Sequence, residues 1–389
     1  MALWSADGLV AMGRAPLVTT HPAPGWAEQD PHAWLPSVVA ACPAIDGPVE
    51  AIGFSSSRET WVPVTGSGEP VGPAIVWSDP RAGQGEAALD ADRRAASRWS
   101  LAPRDLVLFQ LTGVLATDWT IDSVSSCTRG PDVLRSCDIA GFLDTDVLGL
   151  PRGTPVVIGA GDRQCEVLGS GASPARPMVS WGTTANVSTP ATGPTPAGLR
   201  RTRAALDGWL SEGGVSAAGS FLDWLSTLGI ADDGESPPGA NGVIAVPWLD
   251  GARAPWWRAE AGAAFLHLNS AHRGADLARA AVEAVAWEID RCLTGAAPAG
   301  LCLAGGGTAD RRWREILTGI TGLPAQARRI PDAASVGAAL IVSHALGSDW
   351  DADRLNPVTA EIVPDPAAVD AYAALRAASQ RVADTLIGL

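Results

Sequence analysis

The sequence predicts a two-domain α/β protein, and three observations lead to that fold class. The chain has 389 residues, enough for two domains with separate hydrophobic cores. Apolar residues make up 47% of it and charged residues 18%, which is typical of folded soluble proteins. A short apolar strand, a glycine turn and a helix follow one another twice, at residues 156–169 and 301–320. Two such units in different halves would suit a nucleotide held between domains.

The first half is predicted to begin with a β-hairpin around Asp7-Gly8, a dipeptide that favours tight hairpin turns. Asp30 followed by Pro31 predicts the start of a helix that runs to about Ala41. Strands are predicted at 49–54, 60–64 and 74–77, a charged helical stretch at 82–100, and a helix at 103–111.

The stretch from Val156 to Gly169 is the centre of the prediction. Val156–Ile158 predicts a buried strand, Gly159-Ala160-Gly161 a tight turn, and Asp162 the first residue of a helix. Asp162 has two interpretations: a cap for its own helix, or a ligand-facing carboxylate at the C-terminal edge of a sheet. A dinucleotide-binding fingerprint is excluded, because its third glycine would fall on Gln164.

The second half combines hairpins, helices and a second glycine turn. The clearest helix covers 274–293, where Leu277, Ala281, Val285, Ile289 and Leu293 recur every four residues. The other predicted elements are a hairpin over 178–188 with a polar turn at 182–184, a strand at 243–246, a strand at 301–303 before Gly305-Gly306-Gly307, and helices at 218–228, 310–320, 333–346 and 367–386.

Charge and cysteine usage exclude several classes of function. The net charge is −14 and no run of five basic residues occurs, so a nucleic-acid partner is not expected. All 28 basic residues are arginine, which excludes a Walker-type GxxxxGK[ST] loop. No stretch of about 18 apolar residues predicts a membrane span. The cysteines lack a CxxC pair and indicate a reducing, cytoplasmic location; they are Cys42, Cys127, Cys137, Cys165, Cys292 and Cys302.

Several short segments occur in an order that is typical of one family. They are Gly25-Trp26-Ala27-Glu28-Gln29-Asp30-Pro31, Val76-Trp77-Ser78-Asp79-Pro80-Arg81, Leu111-Thr112-Gly113 with Thr117-Asp118, Gly159-Ala160-Gly161-Asp162, Ser180-Trp181-Gly182-Thr183, Pro247 to Pro255, and Gly305-Gly306-Gly307 with Trp313. From about residue 2 to residue 347 the chain resembles the FGGY carbohydrate kinases, which include xylulose and glycerol kinases.

The resemblance implies two ribonuclease H/actin-like α/β ATPase domains with a cleft between them. Residues 1–173 would form the sugar-binding N-terminal domain and residues 174–389 the nucleotide-binding C-terminal domain. The implied activity is transfer of the ATP γ-phosphate to a hydroxyl of a ketose or polyol, with Mg²⁺ as the metal. A cytoplasmic homodimer is compatible with the family.

The resemblance also assigns roles to residues on the nucleotide side. Asp162 would be the base that accepts the hydroxyl proton, and it would contact the metal through water. Gly182, Thr183 and Thr184 would bind the phosphates, although an ordinary hairpin turn is the alternative. Gly305, Gly306, Gly307 and Asp310 would approach the adenosine, and the alternative is a flexible loop before a helix. Gly219 and Asp223 resemble the adenosine-side helix of glycerol kinase.

On the sugar side, Arg58-Glu59-Thr60 resembles the "RET" segment of glycerol kinases. An adjacent Arg and Glu supply a donor and an acceptor for neighbouring hydroxyls, whereas the alternative is a solvated surface pair. Trp77 and Asp79 would complete this wall of the site. The flanking residues differ from those of glycerol kinase, so the match leaves the substrate open.

Two departures from the family pattern affect the expected activity. No "DxGTxxxK"-like phosphate-binding loop occurs in the sequence, and the segment between Arg81 and Leu111 is shorter than in the family. The resemblance therefore predicts an incomplete N-terminal domain and a loss of phosphate-orienting groups, each worth about 10²–10³ in rate. The alternative function is an inactive sugar- or nucleotide-binding protein or a partner subunit. An actin- or chaperone-like ATPase is disfavoured by the sugar-side segments at 58–81.

Overall fold

The computed structural model describes residues 1–124, 130, 132–230 and 234–388, and its chain forms two compact units. Unit 1 contains residues 1–169, 202–207 and 333–356, and unit 2 contains residues 170–201, 208–332 and 357–389. The domains predicted from the sequence were each one continuous stretch, whereas three separate segments build each of these units. The domain limits 1–173 and 174–389 themselves stay a prediction.

Twenty strands occur in the described residues. They are β1 Ala2–Ser5, β2 Gly8–Met12, β3 Glu28–Gln29, β4 Ile52–Ser56, β5 Val62–Val64, β6 Ala74–Ile75, β7 Trp99–Leu101, β8 Ala116–Asp118, β9 Asp132–Leu134, β10 Ile139–Phe142, β11 Pro155–Gly161, β12 Met178–Trp181, β13 Ala185–Ala191, β14 Arg200–Arg203, β15 Trp209–Val215, β16 Ile244–Val246, β17 Ala264–Leu266, β18 Leu301–Ala304, β19 Ala325–Arg328 and β20 Val358–Ile362.

Eleven α-helices accompany these strands in the same part of the chain. They are α1 Trp34–Ala40, α2 Ala91–Ala96, α3 Pro103–Thr112, α4 Trp119–Asp122, α5 Asp162–Gly169, α6 Gly219–Thr227, α7 Gly274–Cys292, α8 Arg311–Thr321, α9 Ala333–Ala345, α10 Ala352–Leu355 and α11 Pro366–Leu386. Short 3-10 turns cover Pro31–Ala33, Pro80–Ala88, Ala240–Gly242 and Gly306–Ala309.

Strand β11 is the middle strand of a three-stranded sheet in unit 1, parallel to β4 and antiparallel to β10. Val156, Val157 and Ile158 are fully buried, which confirms the predicted strand. The predicted turn at 159–161 is wrong, because these residues continue the strand. Gly159 adopts a φ of 73°, and the register against β4 shifts there by one residue. The glycine therefore forms a β-bulge instead of a turn.

Helices α5 and α9 pack face to face in unit 1 through two glycines. A Cβ atom on Gly337 of α9 would lie 1.8 Å from the Cys165 carbonyl oxygen, and one on Gly169 of α5 would lie 2.0 Å from the Ala333 oxygen. Since such distances are far below van der Waals contact, only glycine allows the two backbones to approach this closely.

Unit 2 is built on a seven-stranded sheet with the order β14-β15-β13-β12-β18-β19-β20. Strands β12, β18 and β19 are parallel to one another, whereas β13 is antiparallel to β12. Helix α7 packs Val285 and Ile289 into the core beside Val179 and Leu303, as the four-residue periodicity predicts. The carboxyl ends of β12 and β18 therefore lie side by side at one edge of the sheet.

The sequence missed or misjudged several elements. Residues 82–100 were predicted to be helical, but they form a 3-10 turn, the short α2 and strand β7. Strands β14, β15, β19 and β20 were not predicted. Strand β15 illustrates the reason, because it buries Glu212 and two adjacent glycines and so lacks an apolar alternation. The hairpin β1–β2 and helices α1, α3, α6, α7, α8, α9 and α11 are confirmed.

No helix within the described ranges is long and apolar enough to cross a bilayer. The five described cysteines are all free, and Cys165, Cys292 and Cys302 are buried. Burial raises the pKa of the Cys165 thiol to about 12, so this thiol stays protonated at neutral pH. Cys127 lies outside the described residues.

Candidate active site

Asp162 is the first residue of α5 and directly follows the last residue of β11. Its side chain is 52% exposed, and the Nε atom of Arg58 lies 3.8 Å from its Oδ1 atom. The same oxygen accepts a hydrogen bond of 2.7 Å from the Arg163 amide, the residue immediately after it. Half of the side-chain surface thus remains open to solvent, as a group that receives a proton from a substrate requires.

Gly161 allows Arg58 to lie against the end of β11. A Cβ atom at position 161 would lie 2.8 Å from the Cγ and Cδ atoms of Arg58 and 2.7 Å from the Gln164 amide oxygen. The Arg58 side chain is only 17% exposed. The predicted sugar-side arginine and the predicted base are therefore neighbours in unit 1.

Glu59 and Trp77 belong to two neighbouring segments of the same unit. Glu59 has a φ of 63°, a strained backbone conformation for a residue with a side chain and one that is concentrated at functional sites. The Thr60 hydroxyl accepts a hydrogen bond of 3.1 Å from the Trp77 amide. Trp77 is 44% exposed. Thr60, to which the sequence analysis assigned no role of its own, therefore joins the segment at 58–60 to the segment at Trp77.

Asp79 lies next to this wall, but its carboxylate is engaged inside the protein. Only 2% of the residue is exposed. The carboxylate accepts hydrogen bonds from the Ala27 amide at 2.7 Å, the Arg81 amide at 2.8 Å and the Arg81 guanidinium at 2.7 Å. Burial alone would raise the pKa of Asp79, but the bonds from Arg81 and Ala27 hold it below its usual value. This geometry does not fit a direct contact with a substrate.

Arg81, Trp26 and Glu28 extend this arrangement, although they were predicted only as parts of motifs. The Arg81 guanidinium carbon lies 3.5 Å above the Trp26 ring, and an Arg81 Nη atom donates to Glu28 at 2.8 Å. Trp26 is 40% exposed. Asp79 therefore orients the Arg81 guanidinium, and this guanidinium in turn holds the exposed Trp26 ring in place.

In unit 2 the turn at 182–184 joins β12 to β13 and contacts the start of α6. The amides of Ala218 and Gly219 donate to the carbonyl oxygens of Thr183 and Gly182, at 2.9 and 2.8 Å. A Cβ atom at Gly219 would lie 2.7 Å from the Gly182 oxygen, so glycine is required there by close packing. The predicted phosphate turn and the predicted adenosine-side helix are therefore in contact.

The second glycine segment follows β18 and lies against the end of β12. Gly305 has a φ of 83°, and a Cβ atom there would lie 2.7 Å from the Trp181 carbonyl oxygen. Residues Gly306–Ala309 form a 3-10 turn. The Trp181 and Trp313 rings pack with centroids 4.9 Å apart beneath this turn. The two predicted nucleotide-side segments therefore meet at one edge of the sheet, as the parallel pairing of β12 and β18 requires.

Asp310 and Asp223 occupy different positions on this side. Asp310 caps helix α8, because its Oδ1 atom accepts a hydrogen bond of 2.7 Å from the Arg312 amide. Asp223 is exposed on α6, one turn after Gly219. Within the described ranges, no cluster of three or more His, Cys, Asp or Glu side chains could hold a metal ion.

Comparison with known proteins decides the family. The model of the N-terminal domain of the FGGY family of carbohydrate kinases matches residues 3–96, and that of its C-terminal domain matches residues 178–346. Together the two matches cover more than half of the chain. The chain belongs to the FGGY family of carbohydrate kinases.

Curated relatives of this FGGY protein include two named kinases. A xylulose kinase from Klebsiella pneumoniae is 26% identical over 96% of this chain and 94% of its own length. A glycerol kinase from Acidovorax sp. (strain JS42) is 26% identical over 90% of this chain and 88% of its own length. The FGGY protein is thus an ATP-dependent carbohydrate kinase, and no finding favours the inactive alternative.

Solved structures confirm the fold of this FGGY kinase. A ligand-bound xylulose kinase from Lactobacillus acidophilus superimposes with a TM-score of 0.88 at 19% identity, over 99% of this chain and 95% of that one. The Plasmodium falciparum glycerol kinase with ADP gives a TM-score of 0.80 at 18% identity, over 100% and 96% of the two chains. The predicted fold class, two actin-like ATPase domains, is therefore confirmed.

Proposed function

We propose that this FGGY kinase phosphorylates a hydroxyl group of a ketose or polyol, with Asp162 as the base. In the reaction the substrate oxygen forms a bond to the γ-phosphorus of ATP while the bond to the ADP oxygen breaks, and the hydroxyl proton passes to the Asp162 carboxylate. The observation that carries the proposal is a half-exposed carboxylate at the end of β11, with Arg58 beside it.

Arg58, Glu59 and Trp77 are proposed to bind the substrate. The guanidinium and the carboxylate offer a donor and an acceptor to neighbouring hydroxyls, and the exposed indole offers an apolar face to the carbon skeleton. Asp79 is proposed to act indirectly, because its carboxylate already accepts hydrogen bonds from Ala27 and Arg81. This set of groups would suit either a ketose or a polyol, in line with the xylulose kinases and glycerol kinases among the relatives.

Unit 2 is proposed to bind ATP along the edge formed by β12 and β18. Among the described residues, apart from its two chain neighbours, no heavy atom lies within 4 Å of the position that a Cβ atom would take on Gly182 or Gly306, so both glycines present bare backbone to an open space. A polyphosphate can approach such backbone closely. Thr183 and Thr184 add hydroxyls, Gly305 and Gly307 shape the turn, and Gly219, Asp223 and Asp310 lie on the proposed adenosine side.

Mg²⁺ is proposed to act together with ATP. Magnesium sites of this kind use one or two carboxylates, several waters and the phosphates themselves, so one exposed carboxylate such as Asp162 fits a water-mediated contact. When bound, the ion would neutralise phosphate charge. A cytoplasmic location and a homodimer are further proposals that rest on family resemblance.

The experiment is to measure ADP release by the full chain with Mg-ATP and separate pools of pentuloses, hexuloses and polyols. Sugar-dependent ADP release is expected for one pool, and Asp162→Asn should lower kcat by about 10²–10⁴-fold because the proton acceptor is lost. The affinity for ATP should change little. Asp144→Asn, an isosteric change at a side chain that is 84% exposed in unit 1, is the matched control.

Two results would contradict the proposal separately. An absence of sugar-dependent ADP release from the wild-type chain in every pool would reject the substrate class. Turnover by Asp162→Asn at the wild-type rate would reject the assignment of the base while leaving the kinase activity in place.

A further inference from the structure

A buried carboxylate lies beneath the bulged end of β11, outside the groups assigned to catalysis or binding. Asp118, at the end of β8, has a fully buried side chain and forms an ion pair of 2.8 Å with Arg104, which is itself 1% exposed. The Thr120 hydroxyl lies 2.8 Å from Asp118 Oδ2, and it also accepts a hydrogen bond of 2.8 Å from the Gly161 amide. Gly161 directly precedes Asp162.

The chemistry of these groups fixes the direction of each hydrogen bond. A carboxylate paired with an arginine only accepts, and a threonine hydroxyl has a single proton to donate. Thr120 must therefore donate that proton to Asp118, which leaves its lone pairs for the Gly161 amide. Because the Thr120 hydroxyl donates to Asp118, its oxygen can only accept the hydrogen bond from the Gly161 amide of β11.

A second connection runs from the same carboxylate to the bulge itself. The Ser136 hydroxyl donates to Asp118 Oδ2 at 2.7 Å, and the Ser136 carbonyl oxygen accepts a hydrogen bond of 3.0 Å from the Gly159 amide. Asp118 is therefore linked to β11 on both sides of Ala160. These bonds satisfy the Gly159 amide within the bulge and the Gly161 amide just after pairing with β4 resumes at Ala160.

We propose that Asp118 and Thr120 are positioning residues that hold the Gly159–Gly161 backbone so that Asp162 points at the reacting hydroxyl. The proposal rests on the function proposed above for Asp162. A misplacement of about 1 Å at a catalytic group can cost about 10²-fold in rate, so the loss of one such bond should affect turnover more than substrate binding. A network that only stabilises the fold would lower stability and leave kcat per folded molecule unchanged.

The test compares three variants of the full chain. Thr120→Val keeps the shape but removes the hydroxyl, and Thr120→Ser keeps the hydroxyl. Thr154→Val is the matched control, because Thr154 is 6% exposed, precedes the opposite end of β11 and donates its hydroxyl to the Pro151 carbonyl at 2.8 Å. Each variant is measured for kcat, KM, thermal unfolding and backbone hydrogen exchange.

For Thr120→Val we expect kcat to fall about 10- to 100-fold, with the KM values for sugar and ATP within about two-fold of wild type. Hydrogen exchange across residues 158–166 should become faster. Thr120→Ser should recover most of the turnover, and Thr154→Val should lose stability without losing kcat. Wild-type kcat per folded molecule in Thr120→Val, or unchanged exchange across 158–166, would overturn the proposal.

The exchange measurement keeps this inference distinct from the proposed function. If wild-type chain gave no sugar-dependent ADP release, the kinase proposal would fail, while exchange across 158–166 would still test whether Thr120 holds this backbone. If Thr120→Val did not fold, Ser136→Ala would remove the other connection, with the same expected fall in kcat and faster exchange.

Discussion

At the scale of single residues, Asp79 shows how a buried carboxylate can hold exposed groups in place through hydrogen bonds inside the protein. It accepts bonds from the Ala27 amide and from Arg81, and Arg81 in turn covers the Trp26 ring. Removing one partner from such a buried pair leaves the other without compensation, which costs more than the pair itself contributes. The exposed Trp26 surface therefore depends on a charge that solvent scarcely reaches.

Asp79 also makes stability depend on pH in a defined direction. Its pKa is lower in the folded chain than in the unfolded chain, so the unfolded chain binds more protons near pH 4. This contribution to the free energy of unfolding is complete above the unfolded pKa and is lost as pH falls through the folded pKa. Asp79→Asn should lower the free energy of unfolding at pH 7 by about 2–4 kcal/mol and flatten its decline below pH 4.

Urea unfolding between pH 3 and pH 7 measures this difference. The exposed Asp144→Asn serves as the control, since it changes one carboxylate at the surface. An Asp79→Asn variant whose stability declines below pH 4 as steeply as that of the wild type would contradict the assignment.

At the scale of elements, the contact between α5 and α9 places Asp162. Helix α5 begins at Asp162, and its backbone approaches α9 at Gly337 closely enough that a Cβ atom would lie 1.8 Å from the Cys165 carbonyl oxygen. Backbone cannot yield as a flexible side chain does. A larger residue on α9 must therefore move α5, and with it Asp162, the proposed base.

Gly337→Ala should consequently lower the free energy of unfolding by about 1–3 kcal/mol, the usual cost of overpacking, and should also lower kcat. Thermal unfolding and steady-state kinetics measure the two effects. Gly83→Ala is the control, because in the described part of the chain no heavy atom beyond its two neighbours lies within 4 Å of its Cβ position, and its φ is not in the left-handed region. Unchanged stability in Gly337→Ala would show that α5 and α9 separate without cost.

The elements also show what the sequence can and cannot reveal. Periodic or capped segments such as α7 and the helix after Asp30 were predicted well, because their signal lies in neighbouring residues. The bulge at Gly159 was predicted as a turn, since glycine favours both and only the pairing with β4 distinguishes them. Asp79 was placed in the substrate wall by resemblance. Its hydrogen bond from the Ala27 amide joins residues that are 52 positions apart, so the sequence does not reveal that the carboxylate is engaged inside the protein.

At the scale of the whole molecule, the units are assembled from distant parts of the chain. One buried cluster of unit 1 combines Val157 and Cys165 from the first segment, Ala205 from the second and Ile341 from the third. The C-terminal part of the chain therefore completes the core that surrounds β11. This cluster was not predicted, because apolar periodicity identifies the buried face of α9 but not the unit on which it packs.

Two large-to-small substitutions at positions close in sequence can test whether α9 packs on unit 1 or on unit 2. Ile341 is fully buried in unit 1, and Leu317 is 1% exposed in the core of unit 2. Ile341→Ala and Leu317→Ala should each cost about 2–5 kcal/mol, because each leaves a cavity. The two variants should differ in which residues lose the protection of their backbone amides against hydrogen exchange.

Hydrogen exchange of the two variants locates that loss. Ile341→Ala should accelerate exchange in residues 52–56 and 155–169. Both segments are distant from Ile341 in sequence but belong to unit 1. Leu317→Ala should accelerate exchange in the β12 and β18 strands instead. If Ile341→Ala affected mainly residues 301–321, its neighbours in sequence, then α9 would belong to unit 2 in solution. Because the core of unit 1 closes only when α9 is in place, we expect the first pattern.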